Sequence, residues 1–150
     1  MELASEDKAH AQRAALAWFE EVALEPLGNG HIHQTYLLHS DSNPQERFVL
    51  QKINGQVYGD IPALMSQTLG VLKALSGNTH YCANYRVPEL VSTREGDSFC
   101  IIADQGENHA WRLWRFVENS VTCDPPTNRQ QIRAAARAFG GYQSAIAALN

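Results

Sequence analysis

Apolar residues recur along this chain with two different periods, and the places where the period changes separate its elements. Ala15, Leu16, Phe19 and Val22 fall three to four residues apart, the spacing of one helix face, and Ser5 ahead of Glu6 and Asp7 supplies an N-cap with acids at the positive helix end. A helix of about 17 residues is predicted there. Pro26 has no amide to donate, so it permits only an edge strand or a bend. From His31 to His39, and again from Arg47 to Ile53, β-branched and aromatic residues predominate, with the turn-forming stretch "SDSNPQE" between them. In "DIPALMSQTLGVLKALSG", residues 60–77, an Asp precedes a Pro at an early helical position and a Gly ends the run. Leu64, Met65, Thr68, Leu69, Leu72 and Leu75 share its apolar face. "RVPELVST", "SFCIIAD" and "AWRLWRFVE" read as three more strands, the first two joined through "REGD". Thr127 and Gln130 suggest a capping box ahead of Ile132, Ala135, Phe139, Tyr142, Ile146 and Leu149, which recur at helical spacing.

The predicted order is helix, three strands, helix, three strands, helix. Strands joined by short turns pair antiparallel, so the class is α+β rather than a parallel sheet with crossovers. Composition narrows the picture further. At 150 residues, with 44% hydrophobic and 19% charged, the chain fits one globular domain. A net charge of -4 argues against nucleic acid as partner. No apolar run approaches the roughly 20 residues of a membrane helix, and the acidic, amphipathic N-terminus is unlike a signal peptide. Cys82, Cys100 and Cys123 are odd in number and widely spaced, which suggests neither a disulfide framework nor a metal knuckle. A soluble, cytoplasmic protein without a membrane partner is expected.

The stretch "LGNGHIHQTYLL", residues 27–38, carries the first candidate chemistry. Gly28 and Gly30 around Asn29 suit either a tight hairpin that binds nothing or a loop whose backbone N–H groups approach phosphates. His31 and His33 would share a strand face, yet no third metal ligand is legible, so they read as ordinary histidines. Cys100 has no base marked near it and is not read as a nucleophile.

One helix inserted after the third strand of a roughly five- or six-stranded antiparallel sheet is the architecture of a protein-kinase-like N-terminal lobe. "GNGHIHQTYLL", "FVLQKIN", "PALM", "WRLWRFVENS" and "ARAFGGYQ", in that order, resemble the N-terminal part of the aminoglycoside phosphotransferase family, and within it the sugar kinases of the N-acetylhexosamine kinase type. The resemblance runs from about residue 23 to the end of the chain. It implies a nucleotide partner, with ATP and Mg²⁺ as cofactors. Gly28, Asn29 and Gly30 would form the nucleotide-covering loop. A third-strand group would contact the phosphates, and either Gln51 or Lys52 stands at that place. The helix that should pair the cation with a glutamate has no acid from Ile61 to Ser76, leaving Gln67 and Ser66 as polar candidates. Phe116, Val117 and Glu118 would offer backbone donors and acceptors to adenine, while the Trp111, Trp114 and Phe116 side chains read mainly as packing.

The resemblance also places the base aspartate and the metal-binding residues in a C-terminal lobe, and no His-x-Asp with Asn five residues on is found in these 150 residues. Residues 1–150 are thus expected to be a nucleotide-binding lobe without its catalytic lobe, unable to transfer phosphate alone. The alternative is a stand-alone binding protein that keeps the fold, dimeric through the helix face of Phe139, Tyr142 and Ile146.

Overall fold

The computed structural model describes every residue except 1, 29–33, 41–42, 44, 105, 124, 148 and 150, and of residues 2–5 the backbone alone. The elements are α1 (Glu2–Ala15), β1 (Val22–Pro26), β2 (Thr35–Ser40), β3 (Arg47–Lys52), α2 (Ile61–Gly77), α3 (Thr79–Asn84), β4 (Leu90–Val91), β5 (Cys100–Asp104), β6 (Glu107–Arg115) and α4 (Arg129–Ile146). The strands form one six-stranded sheet in the order β1-β2-β3-β6-β4, with β5 also paired to β6, and each pair is antiparallel. The α+β class expected from the sequence is the one observed.

Two compact units are present, residues 1–65 with 89–116 and residues 66–88 with 117–150. In the first, strand alternation sends Phe48 and Leu50 of β3 and Trp111 and Leu113 of β6 to one face. There they meet Ala11, Ala14, Ala15 and Trp18, contributed by α1 and the turn after it. Trp111, Leu38, Leu50 and Leu113 are fully buried in this layer. The opposite face carries a smaller cluster of Ile53, Met65 and Ala110, packed by Ile61 and Leu64 from the first turn of α2.

Several boundaries differ from the sequence pattern. Helix α1 begins ahead of Ser5, which therefore does not cap it, and it stops at Ala15 because the amides of Trp18 and Phe19 turn back onto the Ala15 carbonyl. Val22 consequently opens β1 and is buried there, while Pro26 ends this edge strand, where a missing amide costs no ladder bond. Leu69, expected on the apolar face of α2, is exposed.

The stretch "REGD" does not join a paired hairpin. Trp114 lies between Val49 and Leu90, and Trp111 between Lys52 and Cys100, so β4 and β5 run in line along one edge of β6. Residues 92–99 loop out between them, closed by hydrogen bonds linking Thr93 and Asp97. The loop satisfies carbonyls just past the end of α1: the Arg94 amide donates to Ala17 O and its guanidinium to Leu16 O at 2.8 Å.

Asp60 caps α2, its Oδ1 accepting from the Ala63 amide at 2.9 Å. The second unit contains the rest of α2, the unpredicted α3 and α4. Asn78 caps α3 and Asn128 caps α4. Gln131 Oε1 accepts from the Thr127 amide at 2.7 Å, so the capping arrangement sits one residue beyond the expected Thr127–Gln130 pair. Gly141 lies where a Cβ would come within 2.8 Å of the Tyr85 ring, a close approach that only glycine allows without moving the tyrosine.

Candidate functional site

Whether Gln51 or Lys52 can meet a ligand depends on which face of β3 each occupies. Consecutive strand residues point to opposite faces, and the register pairs Gln51 with Arg112 and Lys52 with Trp111. Lys52 therefore lies on the α1 face, its ammonium 5.9 Å from the centroid of the Trp111 ring. Gln51 lies on the α2 face.

The α1 face at Lys52 opens into a polar depression of about 470 Å³ lined by Asp7, His10, Arg13, Asp104, Glu107 and His109. His10 is only 6% exposed, with Nε2 3.7 Å from Asp104 Oδ2, too far for a hydrogen bond, and its ring stands edge-on to His109 at 4.9 Å. Burial lowers its pKa below the ordinary histidine value, opposed by the Asp104 charge. Arg13 takes up Asp104 as well, at 3.4 Å. Acids and bases on this face largely answer one another.

The α2 face is different. Gln51 Oε1 accepts from Nε of Arg112 at 2.9 Å and from the indole N–H of Trp114 at 3.4 Å, which fixes the amide with its oxygen inward. The Arg112 guanidinium lies 5.1 Å from the Trp114 ring centroid, and its Nη1 reaches Met65 Sδ at 3.9 Å. Burial pulls the Arg112 pKa down, with the Tyr58 phenol acting in the opposite direction. Arg47 and Phe116 continue the row, the guanidinium 4.1 Å from the ring centroid.

Of the residues singled out in the sequence, Gln51 and Phe116 lie at separate points along this face, and Lys52 lies on the other. The Phe116 amide donates to Arg47 O at 3.0 Å, so the sheet uses that donor. In the second unit, Val117 O accepts from Ser120 Oγ, and Asn119 follows with φ of 57°. Glu118 is exposed. Gly28 has φ of 70°, the left-handed region that favours glycine, just after the Leu27 amide closes onto Thr35 O. Asn29, Gly30, His31 and His33 lie outside the described residues. Among the described residues, no three His, Cys, Asp or Glu side chains converge as a metal site. Burial raises the Cys100 thiol to about 11, which keeps it protonated and poorly nucleophilic.

Sequence reasoning passed over Arg112. The signal was present in "AWRLWRFVE", where Arg112, Trp114 and Phe116 alternate on one strand face, but its meaning needed the register with β3.

No family model matches the chain. The solved structure of a microcompartment-associated aminopropanol kinase is similar to it, with a TM-score of 0.70 over 91% of this chain at 16% sequence identity. The chain spans 40% of that protein's length. At such identity the likeness concerns the fold, which is kinase-like. Among the described residues, no helix is long and apolar enough to cross a membrane.

Proposed function

We propose that this chain is the nucleotide-holding, N-terminal part of a kinase-type phosphotransferase acting on a small hydroxyl-bearing molecule, with a sugar or aminoglycoside the acceptor class suggested by the sequence resemblance. The observation that carries this is the sheet itself: β1, β2 and β3 side by side, a helix inserted after β3, and β6 returning beside β3, in a fold similar to part of a kinase. The nucleotide would lie against the α2 face, because on the other face α1 closes an apolar layer and the polar depression beside it is lined by Asp7, Asp104 and Glu107, whereas Gln51 and Arg112 leave polar donors on this one. The stretch from Gly28 to Gly30 would cover the phosphates, with ATP and Mg²⁺ as the ligand. Acceptor binding and phosphate transfer are assigned to no residue of this chain. A cytoplasmic location fits such an ATP-dependent role.

Titration with a non-hydrolysable ATP analogue and Mg²⁺ tests this. A saturable change on the order of millimolar is expected for half a cleft. No saturable change at tens of millimolar would overturn it.

One observation favours a second reading, that of a binding protein dimerising through α4. Phe139 is 62% and Ile132 55% exposed on that helix, although Tyr142 and Ile146 are half-buried. Sedimentation of a strict monomer at high concentration would dismiss it.

A further inference from the structure

We propose that Arg112, and not Lys52, is the cation that this chain presents to the phosphates of the nucleotide, with Gln51 and Trp114 holding it in place of the acidic partner that α2 lacks. This rests on the function proposed above and identifies the group that would recognise the anionic part of the ligand.

A half-buried guanidinium normally sits beside a carboxylate, since a charge removed from water needs an opposite charge or a full set of hydrogen bonds. Three more-exposed arginines of the sheet unit have acid partners: Arg13 meets Asp104, Arg94 meets Glu20, and Arg115 meets both Glu46 and Glu89. Among the described residues, Arg112 meets no acid. Its Nε is held by the neutral oxygen of Gln51, its plane lies over Trp114, and Nη1 has only the weak acceptor Met65 Sδ. Nη2 donates to nothing among the described residues, and the same holds for the NH₂ group of Gln51. The charge is thus positioned by neutral groups and left uncompensated, the condition in which an incoming phosphate gains most from a planar, weakly hydrated donor. Two amide hydrogens of Gln51 beside it add uncharged donors. Lys52 lacks this setting, because its face already contains Asp7, Asp104 and Glu107.

The experiment compares binding of a Mg²⁺-bound ATP analogue with binding of adenosine, by spectroscopic titration of the full chain and of its Arg112→Gln and Lys52→Gln variants. Wild type should favour the ATP analogue over adenosine by about tenfold or more, the scale of a charge-assisted contact. Arg112→Gln should bring the two affinities together with adenosine binding unchanged, and Lys52→Gln should keep the preference. If Arg112→Gln does not fold, Arg112→Lys, which retains charge but not the fork or the stacking, should show an intermediate preference. A preference lost in Lys52→Gln and kept in the Arg112 variants would overturn the assignment while sparing the nucleotide-binding function. Equal affinity of wild type for both ligands would do the same. Saturation by neither ligand would dispose of the proposed function, and this assignment with it.

Discussion

The two faces of the sheet are built to opposite ends from the same two strands. Toward α1, β3 and β6 present Phe48, Leu50, Trp111 and Leu113 to a continuous apolar layer in which the largest side chains are fully buried. Toward α2 they present Val49, Gln51, Arg112 and Trp114, a half-buried row in which a charge is held by an amide and an aromatic ring. Period-two alternation lets one strand serve stability on one side and recognition on the other. A substitution on the α1 face should therefore act on folding, and one on the α2 face on binding.

The largest effect should come from opening the α1 layer. Leu50→Ala removes a fully buried side chain and is expected to cost about 2–5 kcal/mol of stability, read from urea unfolding. A cost below about 1 kcal/mol would show that α1 does not close that face.

Next comes the alkaline limb of stability, to which Cys100 contributes, its thiol contacting the Ala14 carbonyl from the same side. Folded Cys100 is raised from 9.0 to about 11, so the unfolded chain releases this proton first. Stability should be whole below about pH 9 and fall as pH rises toward about 11. Cys100→Ala should flatten that decline in urea midpoints measured across the range.

The acid limb should be shallower. His10 is held below 6.5 when folded, so its contribution is present above that pH and is lost as pH falls through the lower folded value, where charging favours the unfolded chain. The pull of Asp104 opposes the effect of burial and limits its size. His10→Gln should reduce the difference between thermal midpoints at pH 7 and pH 5.

The smallest stability change should be on the other face. Arg112→Met replaces an uncompensated guanidinium by an apolar chain and should alter stability by no more than about 1 kcal/mol in either direction. A loss as large as that of Leu50→Ala would erase the contrast between the faces.

Much of this was legible in the sequence because single residues carry it. Asp60 and Gly77 bound α2, Pro26 marks an edge strand, and the β-branched and aromatic runs around Leu37 and Val49 become β2 and β3. The misses have physical causes. Helix α3 is a single short element started by the Asn78 side chain, too brief to show a period. Helix α1 ends early because Trp18 is drawn into the layer beneath it, its indole N–H donating to Val91 O at 2.8 Å, a partner 73 residues away. The in-line placement of β4 and β5 depends on Arg94 closing onto the end of α1, which no local pattern reveals. The choice between Gln51 and Lys52 was open for the same reason: alternation separates them, but only the packing of α1 and α2 says which face is filled.

The three tryptophans offer the most direct test, because their indole N–H groups report on the two faces separately. Trp18 and Trp111 lie in the α1 layer, and Trp114 donates to Gln51 on the α2 face. Their indole signals would be followed in a ¹H–¹⁵N spectrum of the full chain as Mg²⁺ and an ATP analogue are added. The Trp114 signal should move saturably while those of Trp18 and Trp111 stay in place. A shift confined to Trp111, or no saturable shift at any indole, would contradict a nucleotide bound against Gln51 and Arg112.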